Sequence, residues 1–283
     1  MDVFPDIPYT LESSLHSLRK FDLYIPPTLS SNPATRPLIC FVHGGAWRSE
    51  DKSDHSTLAK RLTFRTGFPV AVPNYRLTPR EEKEGCTLRH PSHAEDILQF
   101  LEFLLGWNGP LGYNRVFDPK QLFLMGHSCS AHMLSAILLD SSRVTPSLTP
   151  SAALLDAVKG VIMSEGIYDL DMLIAHCPEY LSWFIAPAFG KLDTYARFTV
   201  AGYPSRRLSF YWLLIHSQGD TLVDLPQSEK MLEHLRAESG ADSDKRISYN
   251  TSLTQGHDAI LITDEFVKIA GQFVERVLTR ENM

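Results

Sequence analysis

Three side chains able to carry out acyl transfer occur in this 283-residue sequence in the order Ser128, Asp220, His257. A serine hydroxyl does not attack a carbonyl at neutral pH unless a base takes its proton. An imidazole serves as that base when a carboxylate orients it. Ser128 stands in "LFLMGHSCSAHMLSAILL" (122–139), between an apolar run of strand length and an apolar run with helical composition. A serine on so sharp a strand-to-helix turn has its hydroxyl lifted clear of the strand end, beside the first N–H groups of the helix. The plain alternative is a serine that caps the helix. Gly126-His127-Ser128-Cys129-Ser130 departs from G-x-S-x-G at Ser130, a residue small enough to let helix and strand approach. Asp220 lies just past the apolar run "LSFYWLLIHS" (208–217), and His257 lies in "LTQGHDAI", between the last strand and the last helix. Asp224 and Asp169 are weaker candidates for the acid, and His127, His132, His90 and His93 lack a matching carboxylate context.

Attack by serine passes through a tetrahedral oxyanion, which requires preorganised N–H donors. "HGGAWRSE" (43–50) follows the apolar run "PLICFV" and softens the backbone with Gly44 and Gly45 at a strand end. Glycines there let N–H groups turn inward with no Cβ in the way. The expected oxyanion site is therefore Gly44, Gly45 and Ala46, with Cys129, the residue after the nucleophile, giving a further N–H.

The elements that must hold these groups alternate. Strands are predicted at 20–27, 37–42, 68–77, 121–126, 158–166, 208–217 and 246–253, and helices at 93–105, 131–140, 226–238 and 264–278. Wholly apolar strands interleaved with helices imply a mostly parallel sheet covered on both faces, an α/β doubly wound fold. A single domain over 1–283 is expected, with a small cap insertion at 171–207, where aromatics and prolines break the alternation. Such folds bind ligands beyond the carboxyl ends of their strands.

Composition limits the other readings. Net charge is −6, and no Lys/Arg block suggests nucleic acid or an anionic membrane as partner. Cysteines 40, 86, 129 and 177 form no CxxC pair, so neither a zinc site nor a disulfide framework is indicated. The acidic, proline-interrupted start "MDVFPDIPYT" is unlike a secretory signal, and no apolar run reaches membrane-span length. A cytoplasmic protein acting on a small molecule is the expectation. A homodimer is compatible with the sequence but not readable from it.

"HGGAW", "PNYRL", "HPSHAEDILQFL", "GHSCSAH", "GIYDL", "GDTLV" and "GHD" together resemble the α/β-hydrolases of the hormone-sensitive-lipase and esterase kind over residues 35–260. Within that group the sequence is most similar to the kynurenine formamidases (arylformamidases), whose hallmark is HGG-x-W rather than HGGG. The resemblance implies Ser128 as nucleophile, Asp220 as acid and His257 as base, with His43–Trp47 framing the oxyanion hole. It also implies cleavage of N-formyl-L-kynurenine to kynurenine and formate. Trp47, one residue from the expected oxyanion donors, should stand at the rim of the acyl site, the alternative being a structural wedge under the loop; Tyr168 is expected as a second substrate contact, and no cofactor or metal is expected. A carboxylesterase for short acyl esters, or a silent hydrolase fold that binds a small ligand, are the alternatives.

Overall fold

The all-apolar runs in the sequence become the middle of a sheet. The computed structural model describes residues 1–10, 18–27, 36–81, 88–112 and 115–281, so Cys86 lies outside the described residues. The strands are β1 (Asp2–Pro8), β2 (Lys20–Ile25), β3 (Leu38–Val42), β4 (Val70–Pro73), β5 (Leu122–His127), β6 (Val158–Ser164), β7 (Tyr211–Ile215) and β8 (Ile247–Asn250). They form one eight-stranded sheet in the order β1-β2-β4-β3-β5-β6-β7-β8. Pairing is parallel from β4 through β8, and β1 and β2 join antiparallel at one edge.

The helices are α1 (Ser56–Thr66), α2 (Ser92–Gly106), α3 (Cys129–Leu138), α4 (Ala152–Ala157), α5 (Leu170–His176), α6 (Ala186–Phe189), α7 (Leu225–Ser239), α8 (Ser243–Arg246) and α9 (Asp264–Glu281). Strand β3 shows how the two faces are divided. Leu38, Cys40 and Val42 enter one hydrophobic cluster, with α2, α3 and α7, while Ile39 and Phe41 enter the other, with α1 and α9. Period-two alternation in a strand with no polar position requires apolar cover on both sides. Helix α9 supplies part of that cover by burying Phe266, Val267, Ala270, Phe273, Val274 and Val277 along one stripe. Each large side chain buried this way contributes about 1.5–3 kcal/mol.

Several elements depart from the sequence expectation. Strand β1 carries Pro5 and Pro8 and is mostly exposed, a pattern an edge strand tolerates because one row of its N–H groups faces no neighbour. Helix α1 buries only Leu58, Ala59, Leu62 and Thr63 and leaves Phe64 86% exposed, so its stripe is too thin to read. The strand expected at 68–77 is shorter, Val70–Pro73. The connection from β6 to β7 carries α5, a wide helical turn at Leu181–Ile185, α6 and a short turn at Ala196–Phe198. Phe184, Ile185, Phe189 and Phe198 of this connection pack into the first cluster.

Candidate active site

The turn from β5 into α3 holds Ser128 at φ 57°, ψ −123°, a left-handed conformation that L side chains rarely adopt. Three features force it. The Ser128 N–H donates to Ser164 O (2.9 Å), and Ser128 O accepts from the N–H groups of Ala131 (3.1 Å) and Ile167 (3.3 Å). A Cβ on Gly126 would stand 3.0 Å from the Ala131 nitrogen, so glycine lets the helix start close against the strand end. Ser130, at the position that departs from the motif, is buried and fully used. Its Oγ accepts from the His127 N–H (2.7 Å) and lies 2.7 Å from Val42 O and 2.8 Å from His127 O, where its proton is shared.

The base and acid come from two further strand ends. His257 Nδ1 lies 2.7 Å from Asp220 Oδ2. The Asp220 Oδ1 atom accepts the N–H groups of Leu222 (2.8 Å) and Val223 (3.1 Å), which locks the carboxylate. Burial pushes the Asp220 carboxyl upward, but the bond from His257 and a neighbouring Glu165 outweigh it and hold the group well below the usual carboxylate range. Asp220 is thus the anion His257 needs. The weaker candidates are engaged elsewhere. Asp169 caps α5 through the Met172 N–H (3.0 Å) and pairs with Lys230, and Asp224 starts α7 with His176 at 4.0 Å.

Ser128 and His257 line the same cleft, of about 160 Å³. No hydrogen bond joins Ser128 Oγ to His257 in this arrangement; such bonds commonly tighten only when substrate is present. Ile167, Phe184, Leu222 and Val223 form apolar walls, and Glu50 and Asp258 are the acidic groups at its edge. Among the described residues lining it there is no lysine or arginine.

The loop after β3 closes one side of the cleft. Gly45, Ala46 and Trp47 have φ of 86°, 52° and 60° in succession. A Cβ on Gly45 would stand 2.1 Å from Ser49 O, so no other residue fits there, and one on Gly44 would stand 3.1 Å from Ser128 Cβ. The Gly45 carbonyl accepts from the N–H groups of Arg48 and Ser49, both at 2.9 Å. The Trp47 N–H donates to Cys129 Sγ at 3.3 Å. The N–H groups of Gly44, Gly45 and Cys129 carry no hydrogen bond within the described residues. His43 stands behind the loop, its ring stacked 4.5 Å from that of Tyr75 and 5.8 Å from that of His55. Burial, then the neighbouring His55, lowers the His43 imidazole to about 4.

Trp47 and Tyr168, expected as substrate contacts, are both 0% exposed, and neither lines the cleft. The Trp47 indole packs edge-on to Phe189 (5.0 Å) and His132 (5.6 Å), with Phe184 at 6.0 Å between it and the cavity. The Tyr168 ring lies over Gly166, where any Cβ would meet its hydroxyl at 2.3 Å. Their places at the cavity wall are taken by Ile167, Tyr180, Trp183 and Phe184. The aromatic-rich interval after β6 carried the signal for the last three.

A second histidine lies against the first. His127 is buried, with its ring centroid 4.7 Å from that of His257 and its Nε2 3.2 Å from Asp258 Oδ1. Burial lowers its imidazole to about 4. Glu165, given no role from the sequence, is fully buried at φ 50° beside Asp220. Among the described non-glycine residues with positive φ, Ala46, Glu50 and Ser128 line this cleft, as expected where strain is held in place for function. Three clusters have metal-like composition: His43/Glu50/His55, His127/His257/Asp258 and Glu165/His216/Asp220. In each, a carboxylate is already bonded to a histidine, at 2.9, 3.2 and 2.7 Å for Glu50–His55, Asp258–His127 and Asp220–His257, so they read as hydrogen-bond networks.

The sheet order, the strained serine turn and the histidine–aspartate pair define an α/β-hydrolase. The chain belongs to the BD-FAE family, whose model matches residues 21–235. It is similar to a kynurenine formamidase of Meyerozyma guilliermondii, 30% identical over 210 residues, covering 71% of this chain and 72% of that one. A kynurenine formamidase-like hydrolase, fscH, of Fusarium equiseti is 26% identical over 283 residues, covering 90% and 88%. The solved esterase B of Lactobacillus rhamnosis superimposes with a TM-score of 0.76 at 17% identity, covering 99% of this chain and 88% of that one, a likeness of fold. The chain is a hydrolase of this type. No described helix is long and apolar enough to cross a membrane.

Proposed function

We propose that the protein is a serine hydrolase that cleaves the formamide of N-formyl-L-kynurenine. The observation that carries the mechanism is the 2.7 Å bond from His257 to a buried, ionised Asp220, in the cleft that also holds the strained Ser128. His257 Nε2 takes the Ser128 proton as Oγ bonds to the formyl carbon. The oxyanion forms against the N–H groups of Gly45 and Cys129. Removing one such donor in comparable sites costs on the order of 10²–10³ in rate. The carbon–nitrogen bond then breaks, the imidazolium gives its proton to the leaving arylamine, and Ser128 carries the formyl group as an ester. Water, deprotonated by His257, attacks that ester and releases formate.

The choice of acyl group rests on the similarity to the formamidases of Meyerozyma guilliermondii and Fusarium equiseti. A second reading, hydrolysis of short acyl esters, is favoured by the cleft itself. Its walls are apolar, its charged edge is acidic, and no described lining residue is a cation for an amino-acid carboxylate. Turnover of N-formyl-L-kynurenine measured beside p-nitrophenyl acetate and butyrate separates the two. A kcat/KM at least about tenfold higher for the formamide, a 1.4 kcal/mol preference in the transition state, supports the first reading. Esters turned over with the formamide untouched establish the second.

A further inference from the structure

Two adjacent parallel strands, β6 and β7, each deliver a carboxyl group to one buried point. Glu165 follows β6 directly, and Asp220 lies five residues past the end of β7. A carboxyl oxygen of each, and a ring nitrogen of His216, all lie within 4.8 Å of one another. The Glu165 side chain is 0% exposed. Two bare carboxylates at this spacing without water repel strongly, so one of them keeps its proton. The hydrogen bonds show which. Asp220 accepts from His257 and two backbone N–H groups, as an anion should. Glu165 Oε1 accepts a single N–H, from Ser217 (2.8 Å), while Oε2 is buried without a hydrogen-bond partner, 3.3 Å from His216 Nε2. His216 cannot supply the missing charge. Its Nε2–H faces Val223 O (3.0 Å) and Glu165 Oε2 (3.3 Å), its Nδ1 lies 2.7 Å from Ser228 Oγ, and burial lowers the ring's affinity for a proton.

We propose, building on the serine-hydrolase reading, that Glu165 is a neutral carboxylic acid whose Oε2–H is donated to Asp220, making it a positioning residue for His257. Its backbone is held in the left-handed region at φ 50°. Burial, followed by the hydrogen bond and charge of Asp220, raises the Glu165 carboxyl to about 10, which agrees with a retained proton. The other titratable groups facing it are His216, Tyr168, Tyr249 and Asp258, with His257 beyond Asp220.

The proposal has a thermodynamic signature independent of turnover. A carboxyl with a raised folded pKa holds a proton that the unfolded chain has released, so it lowers stability increasingly as pH rises from its unfolded value toward about 10. Glu165→Gln removes that penalty while keeping a donor. Melting temperatures of Glu165→Gln and wild type, compared from pH 6 to 9, are expected to diverge in favour of the variant as pH rises. A difference that does not change with pH overturns the proposal. For catalysis, kcat/KM against pH with p-nitrophenyl acetate is compared for wild type, Glu165→Gln and Glu165→Met. Met removes the donor, leaves Asp220 a less stabilised anion and should raise the pKa of the acid limb, with kcat about tenfold lower and KM little changed. Gln should restore the rate and leave the limb in place. A limb lowered by a unit or more in Glu165→Gln would show that Glu165 is an anion and would overturn the proposal. Wild type inert to both ester and fluorophosphonate would instead refute the hydrolase reading, leaving the melting comparison to decide the state of Glu165.

Discussion

The hydroxyl of Ser130 lies 2.7 Å from the carbonyl of Val42, the last residue of the strand that leads into the glycine loop. One side chain therefore joins the nucleophile turn to the loop that faces it. A glycine at this place in the motif would give close approach but no tie. Ser130 gives both, because it also accepts the His127 N–H at 2.7 Å.

Ser130→Ala is expected to keep the turn but leave a buried carbonyl and a buried N–H unpaired. The cost is about 1–3 kcal/mol, or several degrees in melting temperature. Calorimetry checks it. An unchanged melting temperature would mean the tie carries no stability.

Trp47 is a wedge beneath the cleft, with Phe184 between it and the cavity. Trp47→Ala should open a cavity and cost roughly 3–5 kcal/mol. Activities toward a formyl aryl amide and a small aliphatic ester should fall in equal proportion. Loss confined to the aryl substrate would place the indole in the substrate path instead.

Asp220 is the only one of the three aspartates considered from sequence that reaches His257. Asp220→Asn should lower kcat by on the order of 10³–10⁴ because the imidazole loses its orienting anion. Asp169→Asn and Asp224→Asn should stay within a few-fold, since these side chains serve α5 with Lys230 and the start of α7. Parallel steady-state assays decide it, and an inactive Asp224→Asn beside an active Asp220→Asn would reverse the assignment.

Acid should unfold the protein early. His43, His127 and His132 are buried and lowered to about 4, and His93 to about 3, in each case chiefly by burial. The unfolded chain takes up these protons near pH 6.5 while the native state refuses them. Stability is therefore full above that value and falls as pH drops toward about 4, by roughly 2 kcal/mol per histidine at pH 5. Melting temperature should drop steeply between pH 7 and 5, and less steeply in His132→Gln. A flat profile would contradict the buried neutral rings.

Much of this was legible in the sequence, and the rest was hidden for identifiable reasons. Ser128 and Asp220 could be placed because each follows an apolar run long enough to mark a strand end, and His257 because it lies between the alternating run at 246–253 and the last amphipathic helix. Strand β1 was not readable, since an edge strand with two prolines has no buried face to imprint a pattern. Trp47 was misplaced because adjacency to Gly45 in sequence says nothing about which way an indole turns at φ 60°. Glu165 left a faint trace, a carboxylate directly after the apolar end of β6 and before a glycine. Only the fold shows that it meets Asp220.

The most direct test is covalent. Purified protein treated with a fluorophosphonate, digested and analysed by mass spectrometry should carry a single adduct on the peptide containing Ser128. Ser128→Ala, folded by circular dichroism, should carry none and should turn over neither formamide nor ester. An adduct on another serine, or undiminished turnover in Ser128→Ala, would contradict the assignment of Ser128 as the nucleophile.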